Sequence, residues 1–199
     1  MESQRAEAFL TTDQERIHAA ITASAGGHMQ LDVMVKDQLR TWLLRETLAA
    51  AKAREGAADE TAAGLYNNAA SVANTFGEHN EALLYFKKVL TIYREVVGER
   101  HPHTAVTCNN MAVVFSKQGR FAEAREYSGK ALAIRREVLG ERYPDTAMAY
   151  NNMANVFSNQ GRLEEAQEYY EKALAIRREV LGEQHKDTLT PTTAWRLSF

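Results

Sequence analysis

The sequence predicts an all-α fold, a solenoid of stacked antiparallel helix pairs. Three observations predict it. A 42-residue unit recurs without gaps, a pair of glycines punctuates each copy at fixed places, and the apolar residues between the glycines recur at helical spacing.

The repeat is close. Thr104 to Asp145 matches Thr146 to Asp187 at about 29 of 42 positions, and Ala62 to His103 matches Thr104 to Asp145 at about 19 of 42. Each copy opens on an amide pair: Asn67-Asn68, Asn109-Asn110 and Asn151-Asn152. Small residues follow at Ala70, Ala112 and Ala154, then Gly77, Gly119 and Gly161. Ala82, Ala124 and Ala166 come next, followed by Tyr85, Tyr127 and Tyr169. Leu90, Leu132 and Leu174 precede Ile92, Ile134 and Ile176, and Gly98, Gly140 and Gly182 close the unit.

This order reads as two helices per unit. In the third copy Tyr150, Met153, Ala154 and Phe157 lie at i, i+3, i+4 and i+7, one face of a first helix. Gly161 ends it, and a second helix is expected from Leu163 to Leu181, with Ala166, Tyr169, Tyr170, Ala173, Leu174 and Ile176 as its apolar stripe. Gly182 is its terminator, and Pro102 and Pro144 open the next first helix, where a missing N–H costs least. Glu126–Lys130 and Glu168–Lys172 are i,i+4 pairs in the favourable order. Alanines at the helix crossings let backbones approach. A single pair cannot bury both of its faces, so such units come in arrays.

The flanks are less regular. Residues 12–24 are expected to form a short helix broken at Gly26-Gly27. Leu31 to Arg54 carries Leu31, Met34, Val35, Leu39, Trp42, Leu43 and Leu48, which fit a capping helix, a degenerate earlier repeat or about three heptads. A turn is expected near Gly56. The expected division is therefore an N-terminal helical segment over 1–60, three units over 61–187 (62–103, 104–145, 146–187), and a tail over 188–199. That tail starts like a fourth unit and departs at Thr190-Pro191. Either it folds over the last pair, or the chain is a piece of a longer array.

Composition narrows the function classes. The chain has 199 residues, is 45% hydrophobic and carries a formal charge of −2. That balance argues against a nucleic-acid binder and gives no steering toward anionic membranes. No apolar run is long enough to span a bilayer, and the first residues lack a secretory pattern, so a cytoplasmic protein is expected. One cysteine, Cys108, allows no intrachain disulfide. It occupies the column of Tyr66 and Tyr150, which makes it a packing residue rather than a nucleophile. No phosphate loop, nucleophile elbow, zinc-protease or Cys-x-x-Cys motif occurs, and His101 and His103 have no third convergent ligand. No enzyme activity, cofactor or metal is expected.

Small–aromatic–Gly–Ala–aromatic–Ala at this spacing resembles the tetratricopeptide (TPR) repeat. The 42-residue period and phrases such as NNMANVFSNQGRLEEAQEYYEKALAIRREVLGEQH resemble the repeats of kinesin light chains. The resemblance covers residues of about 61 to 189 and implies a right-handed superhelix. It does not extend to the long heptad region that precedes the repeats in kinesin light chains. In arrays of this family the first helices line the concave surface. That maps a groove onto Asn67, Ser71, Asn74 and Thr75 in the first unit. In the second it maps onto Asn109, Val113, Ser116 and Lys117, and in the third onto Asn151, Asn155, Ser158 and Asn159.

Such a groove is nearly neutral and rich in amides, which pair with the N–H and C=O of an extended peptide. Only Lys117 is basic there, so capture of a C-terminal carboxylate is disfavoured. Asn68, Asn110 and Asn152 are expected instead to hold inter-helix or inter-repeat backbone groups. Arg135-Arg136 and Arg177-Arg178, offset by Glu137 and Glu179, are expected on a solvated outer face. The leading functional expectation is a non-catalytic scaffold for a peptide or protein partner. A cargo adaptor of the kinesin-light-chain kind and a regulatory repeat region of a larger protein are the alternatives, and the oligomeric state is left open.

Overall fold

A computed structural model describes residues 28–54 and 59–182. The expected helix over 12–24, the turn at Gly56 and the tail over 188–199 lie outside them. The described residues form seven helices: α1 (His28–Lys52), α2 (Glu60–Thr75), α3 (His79–Val96), α4 (Pro102–Lys117), α5 (Phe121–Leu139), α6 (Pro144–Asn159) and α7 (Leu163–Leu181). No strand occurs among the described residues. The chain divides into two compact units, Met1–Glu46 and Thr47–Phe199, with the boundary inside α1. The second unit holds the repeats.

The helix limits have local causes. Asp59 is the N-cap of α2, its carboxylate accepting from the Ala62 N–H at 2.7 Å. Pro102 and Pro144 stand in the first turn of α4 and α6, as expected. The second helices α5 and α7 lack a side-chain cap. Instead, Arg120 donates to Glu123 and Arg162 to Glu165, while the two guanidinium groups lie 4.5 Å and 4.8 Å from the ring centres of Phe115 and Phe157. Gly140 ends α5 at φ 93° and ψ 165°, a region reserved for glycine. A Cβ built there would meet nothing within 4 Å, so backbone conformation rather than space requires glycine.

Packing follows the alternation. Helices pair as α2–α3, α4–α5 and α6–α7. Neighbouring units join through α3–α4 and α5–α6, with α4 also touching α6. Ala69, Ala70, Ala73, Ala82, Ala124, Ala154 and Ala173 are fully buried at these crossings. Around them Tyr66, Phe86, Met111, Phe115, Met153 and Phe157 are buried as the large side chains of the core. The last turns of α1 join the core at its start: Leu48 and Ala51 pack with Ala63, Tyr66 and Val89. Cys108 is buried in this packing, and burial pushes its thiol pKa up, away from the reactive thiolate.

The joints between units use polar atoms. The buried Thr104 hydroxyl donates to the Gly98 carbonyl at 3.0 Å, and Thr146 donates to the Gly140 carbonyl at 2.7 Å. Each bond closes the turn that passes the chain from one unit to the next. Arg135 corrects an expectation. It is buried, not part of a solvated face, and donates to the Asp145 backbone carbonyl at 2.9 Å. The start of α6 covers it, and burial lowers its pKa. Arg136 stays exposed and pairs with Glu141 at 2.6 Å. On the outside, Arg100–Glu137 and Arg142–Glu179 are one ion pair repeated at the 42-residue period.

Two outcomes test these joints. Thr146→Val should lower unfolding free energy by about 1–2 kcal/mol in urea titration, the cost of leaving the Gly140 carbonyl without its donor. Tyr150 supplies the second. Its hydroxyl donates to Glu141, and burial together with that bond raises its pKa from 10.0 to about 12. The contribution is complete below pH 10 and is lost as pH rises through 12, because unfolding in that window releases a proton. Between pH 9 and pH 12 the natural chain should lose more stability than Tyr150→Phe, by on the order of 2 kcal/mol.

Candidate functional site

The face predicted for binding is built from the first helices α2, α4 and α6. Their equivalent positions are joined by a ladder of side-chain hydrogen bonds spaced one residue more than the repeat. Asn110 Nδ2 donates to Asn67 Oδ1 at 3.4 Å, Lys117 Nζ to Asn74 Oδ1 at 3.1 Å, and Asn159 Nδ2 to Ser116 Oγ at 3.0 Å. The last two bonds are the same rung translated by one unit, since Asn74 and Ser116 share a column, as do Lys117 and Asn159. Successive first helices thus meet through polar side chains, and the 43-residue spacing of each rung reflects a one-residue offset.

This geometry overturns one expectation. Asn110 holds the side chain of Asn67, not a backbone group. Asn68 is exposed, and Asn152 turns toward a cleft instead of a helix backbone. The offset is the reason: it sets amide opposite amide, while the helix backbones satisfy themselves.

Between the second and third units the ladder opens into a cleft of about 260 Å³. Seven of the predicted positions line it: Asn109, Val113, Ser116, Lys117, Asn155, Ser158 and Asn159. The others do not. Asn67 and Asn74 are half-buried as acceptors in the ladder. Ser71 and Thr75 are exposed, and each hydroxyl donates to the carbonyl four residues earlier in its own helix. Asn151 is half-buried outside the cleft wall.

Three cleft residues escaped the sequence reading: Ser128, Asn152 and Val156. Ser128 is the informative one. It belongs to the second helix α5, in the column of Phe86 and Tyr170. Those rings fill the space behind the first helix of their own units; Phe86 is 2% exposed. Serine in their place leaves the cleft its floor. Comparing that column across the three units would have revealed it.

No acidic residue lines the cleft, and two of its lining residues carry a polar atom sealed from solvent without a hydrogen-bond partner, Asn109 Oδ1 and Ser128 Oγ. Ser128 as a whole is 1% exposed. At the far wall, Tyr170 donates its hydroxyl to Asn155 at 2.5 Å. Among the described residues no group of three His, Cys, Asp or Glu side chains is placed to hold a metal ion. His101, the N-cap of α4, and His103, in its first turn, hold their rings tilted at 53° with centres 4.9 Å apart, His101 Nδ1 accepting from the His103 N–H. No helix of the described residues is long and apolar enough to cross a membrane.

Comparison with known proteins agrees with this architecture. The tetratricopeptide repeat profile matches residues 60–137, 109–179 and 145–194. A search of curated proteins returns no match. Among solved structures, BtubC (BKLC) from P. vanneervenii superposes with a TM-score of 0.64 at 22% identity, over 94% of this chain and 72% of that one. The nearly identical TPR-like repeats of a Podosopora anserina protein described as a kinesin light chain give 0.58 at 17% identity, over 83% and 89%. The N-terminal domain of stress-induced protein-1 from C. elegans gives 0.50 at 18% identity, over 68% and 95%. At these identities the likeness is one of fold.

A buried hydroxyl without a partner costs stability. Ser128→Ala should therefore raise the urea midpoint, by about 0.5–1 kcal/mol of unfolding free energy, with the slope unchanged.

Proposed function

The chain belongs to the tetratricopeptide repeat family, with repeats of the kinesin-light-chain kind, and on that premise we propose that it is a non-catalytic scaffold that binds an extended peptide segment of a partner protein along α2, α4 and α6. Repeats of this family generally mediate protein–protein interaction. The observation that carries the finer reading is the cleft between α4 and α6, walled by amide and hydroxyl groups and continuous with the polar ladder. Amides at regular spacing can pair with successive peptide N–H and C=O groups. The near-neutral wall favours main-chain pairing over charge, with Lys117 already bonded to Asn74.

A cargo-adaptor role is the narrower version of the same reading. Its support is the 42-residue repeat and the fold shared with the Podosopora anserina repeats. Pull-down with a motor heavy-chain stalk tests it: retention through residues 1–60 is expected if the role holds, and loss of that retention sinks it.

The groove itself is tested by filling it. Peptides selected from a displayed random library on the full chain should bind in isothermal titration. Val113→Trp and Ser158→Trp, both on the cleft wall, should each weaken binding by about tenfold or more, or roughly 1.4 kcal/mol. Leu84→Ala, on the exposed side of α3, should leave it unchanged. Equal binding by all three variants would place the ligand elsewhere.

A further inference from the structure

The two joints between units close on the same threonine bond but begin their helices differently. Both α4 and α6 start on a proline that stands between an N-cap residue and a residue of the first turn. At α6 those two residues are Tyr143 and Asp145; at α4 they are His101 and His103. Tyr143 makes no side-chain cap bond, whereas His101 Nδ1 accepts from the His103 N–H at 3.2 Å. The two imidazole centres lie 4.9 Å apart, and His103 stacks on Tyr93 of α3 with ring centres 5.4 Å apart. The histidine pair therefore caps the first helix of the second unit and touches the second helix of the first unit.

We propose that His101 and His103 form an acid-sensitive clasp: protonation of His101 releases the start of α4 and loosens the joint between the first and second units, while the joint between the second and third is left unchanged. The chemistry is that of the acceptor. Nδ1 takes a hydrogen bond only while it carries no proton; an imidazolium presents an N–H there, opposed to the His103 N–H. The added charge would stand at a helix N-terminus, where the backbone already places partial positive charge. A second imidazolium 4.9 Å away would add like-charge repulsion. At α6 the same two positions hold no imidazole, and Asp145 has the sign that a helix N-terminus favours.

The charged groups of the surrounding elements do not offset this. Arg94 of α3 pairs with Glu99 of the turn at 3.2 Å, and Arg100 of the turn pairs with Glu137 of α5. Burial and the Glu60 charge of α2 raise the Tyr93 pKa, so that ring stays neutral. Its face accommodates a charge on His103, but among the described residues neither imidazole forms an ion pair. The sign follows from the bond. Its contribution is complete above the ordinary histidine range, about pH 6.5, and is lost as pH falls through it, because the unfolded chain takes up the proton without giving up a hydrogen bond. The position of the clasp gives it reach. The Thr104–Gly98 bond follows His103 directly, and the rungs Asn110–Asn67 and Lys117–Asn74 depend on where α4 starts.

Amide hydrogen exchange on the full chain, corrected for the intrinsic pH dependence of exchange, tests the clasp. The Ala105 and Ala147 amides close the first turns of α4 and α6 on the His101 and Tyr143 carbonyls, so α6 is an internal reference in the same molecule. From about pH 7.5 to about pH 5.5, protection at Ala105 is expected to fall about fivefold relative to Ala147, the effect of one lost cap. His101→Asn supplies a capping acceptor that does not titrate, and should hold the ratio at its value in the natural chain at the higher pH. His101→Ala, which has no acceptor, should show the lowered ratio at both pH values. Circular dichroism at the higher pH reports whether each variant is folded, and the natural chain decides the question even if neither is. A ratio that does not change with pH in the natural chain overturns the clasp. So does a fall that persists in folded His101→Asn.

Discussion

A threonine hydroxyl bonded back to a glycine carbonyl sets how each unit hands the chain to the next. Thr104 to Gly98 and Thr146 to Gly140 are the same bond one repeat apart. Gly140 can take its positive φ only because it has no side chain, and the threonine oxygen then closes the turn. The following first helix starts at proline with its direction already set. All the contacts between units depend on that direction. The alanine crossings and the outer Arg100–Glu137 and Arg142–Glu179 pairs recur because the joint recurs.

The same regularity makes departures from it informative. Serial stacking means each unit mainly contacts its neighbours, so a change in one column acts locally. Ser128 in place of an aromatic ring does not disturb the flanking pairs: Phe86 remains buried, and Tyr170 keeps its bond to Asn155. It opens a cleft at a single interface and leaves two polar atoms unsatisfied there. Buried polar atoms of this kind are few in native proteins. The second and third units are the closest pair in sequence, yet the cleft lies between them, because one column outweighs the similarity of the rest.

Much of this architecture was legible in the residues. The 42-residue identity located the pairs, and Leu163 to Leu181 was bounded by glycine at both sides before any packing was known. That the first-helix amide and hydroxyl columns lie side by side was legible too, since Asn109, Ser116, Asn155 and Asn159 line one cleft. Three things were not. Arg135 sits in a stretch identical to Arg177-Arg178 and looks like surface until α6 covers it. Asn110 looks like a backbone clamp until the one-residue offset sets it opposite Asn67. Ser128 looks like an unremarkable helix position until the first-helix face is laid over it.

The sequence by itself determined the repeat length, the helix pairs, the turn glycines and the amide columns, because each is written in local spacing and conformational preference. The tertiary structure alone decided which of those amides satisfy one another and which stay open. That depends on the offset between successive first helices and on what the second helix places behind them. Both arise where residues far apart in the chain meet, and no local pattern encodes them.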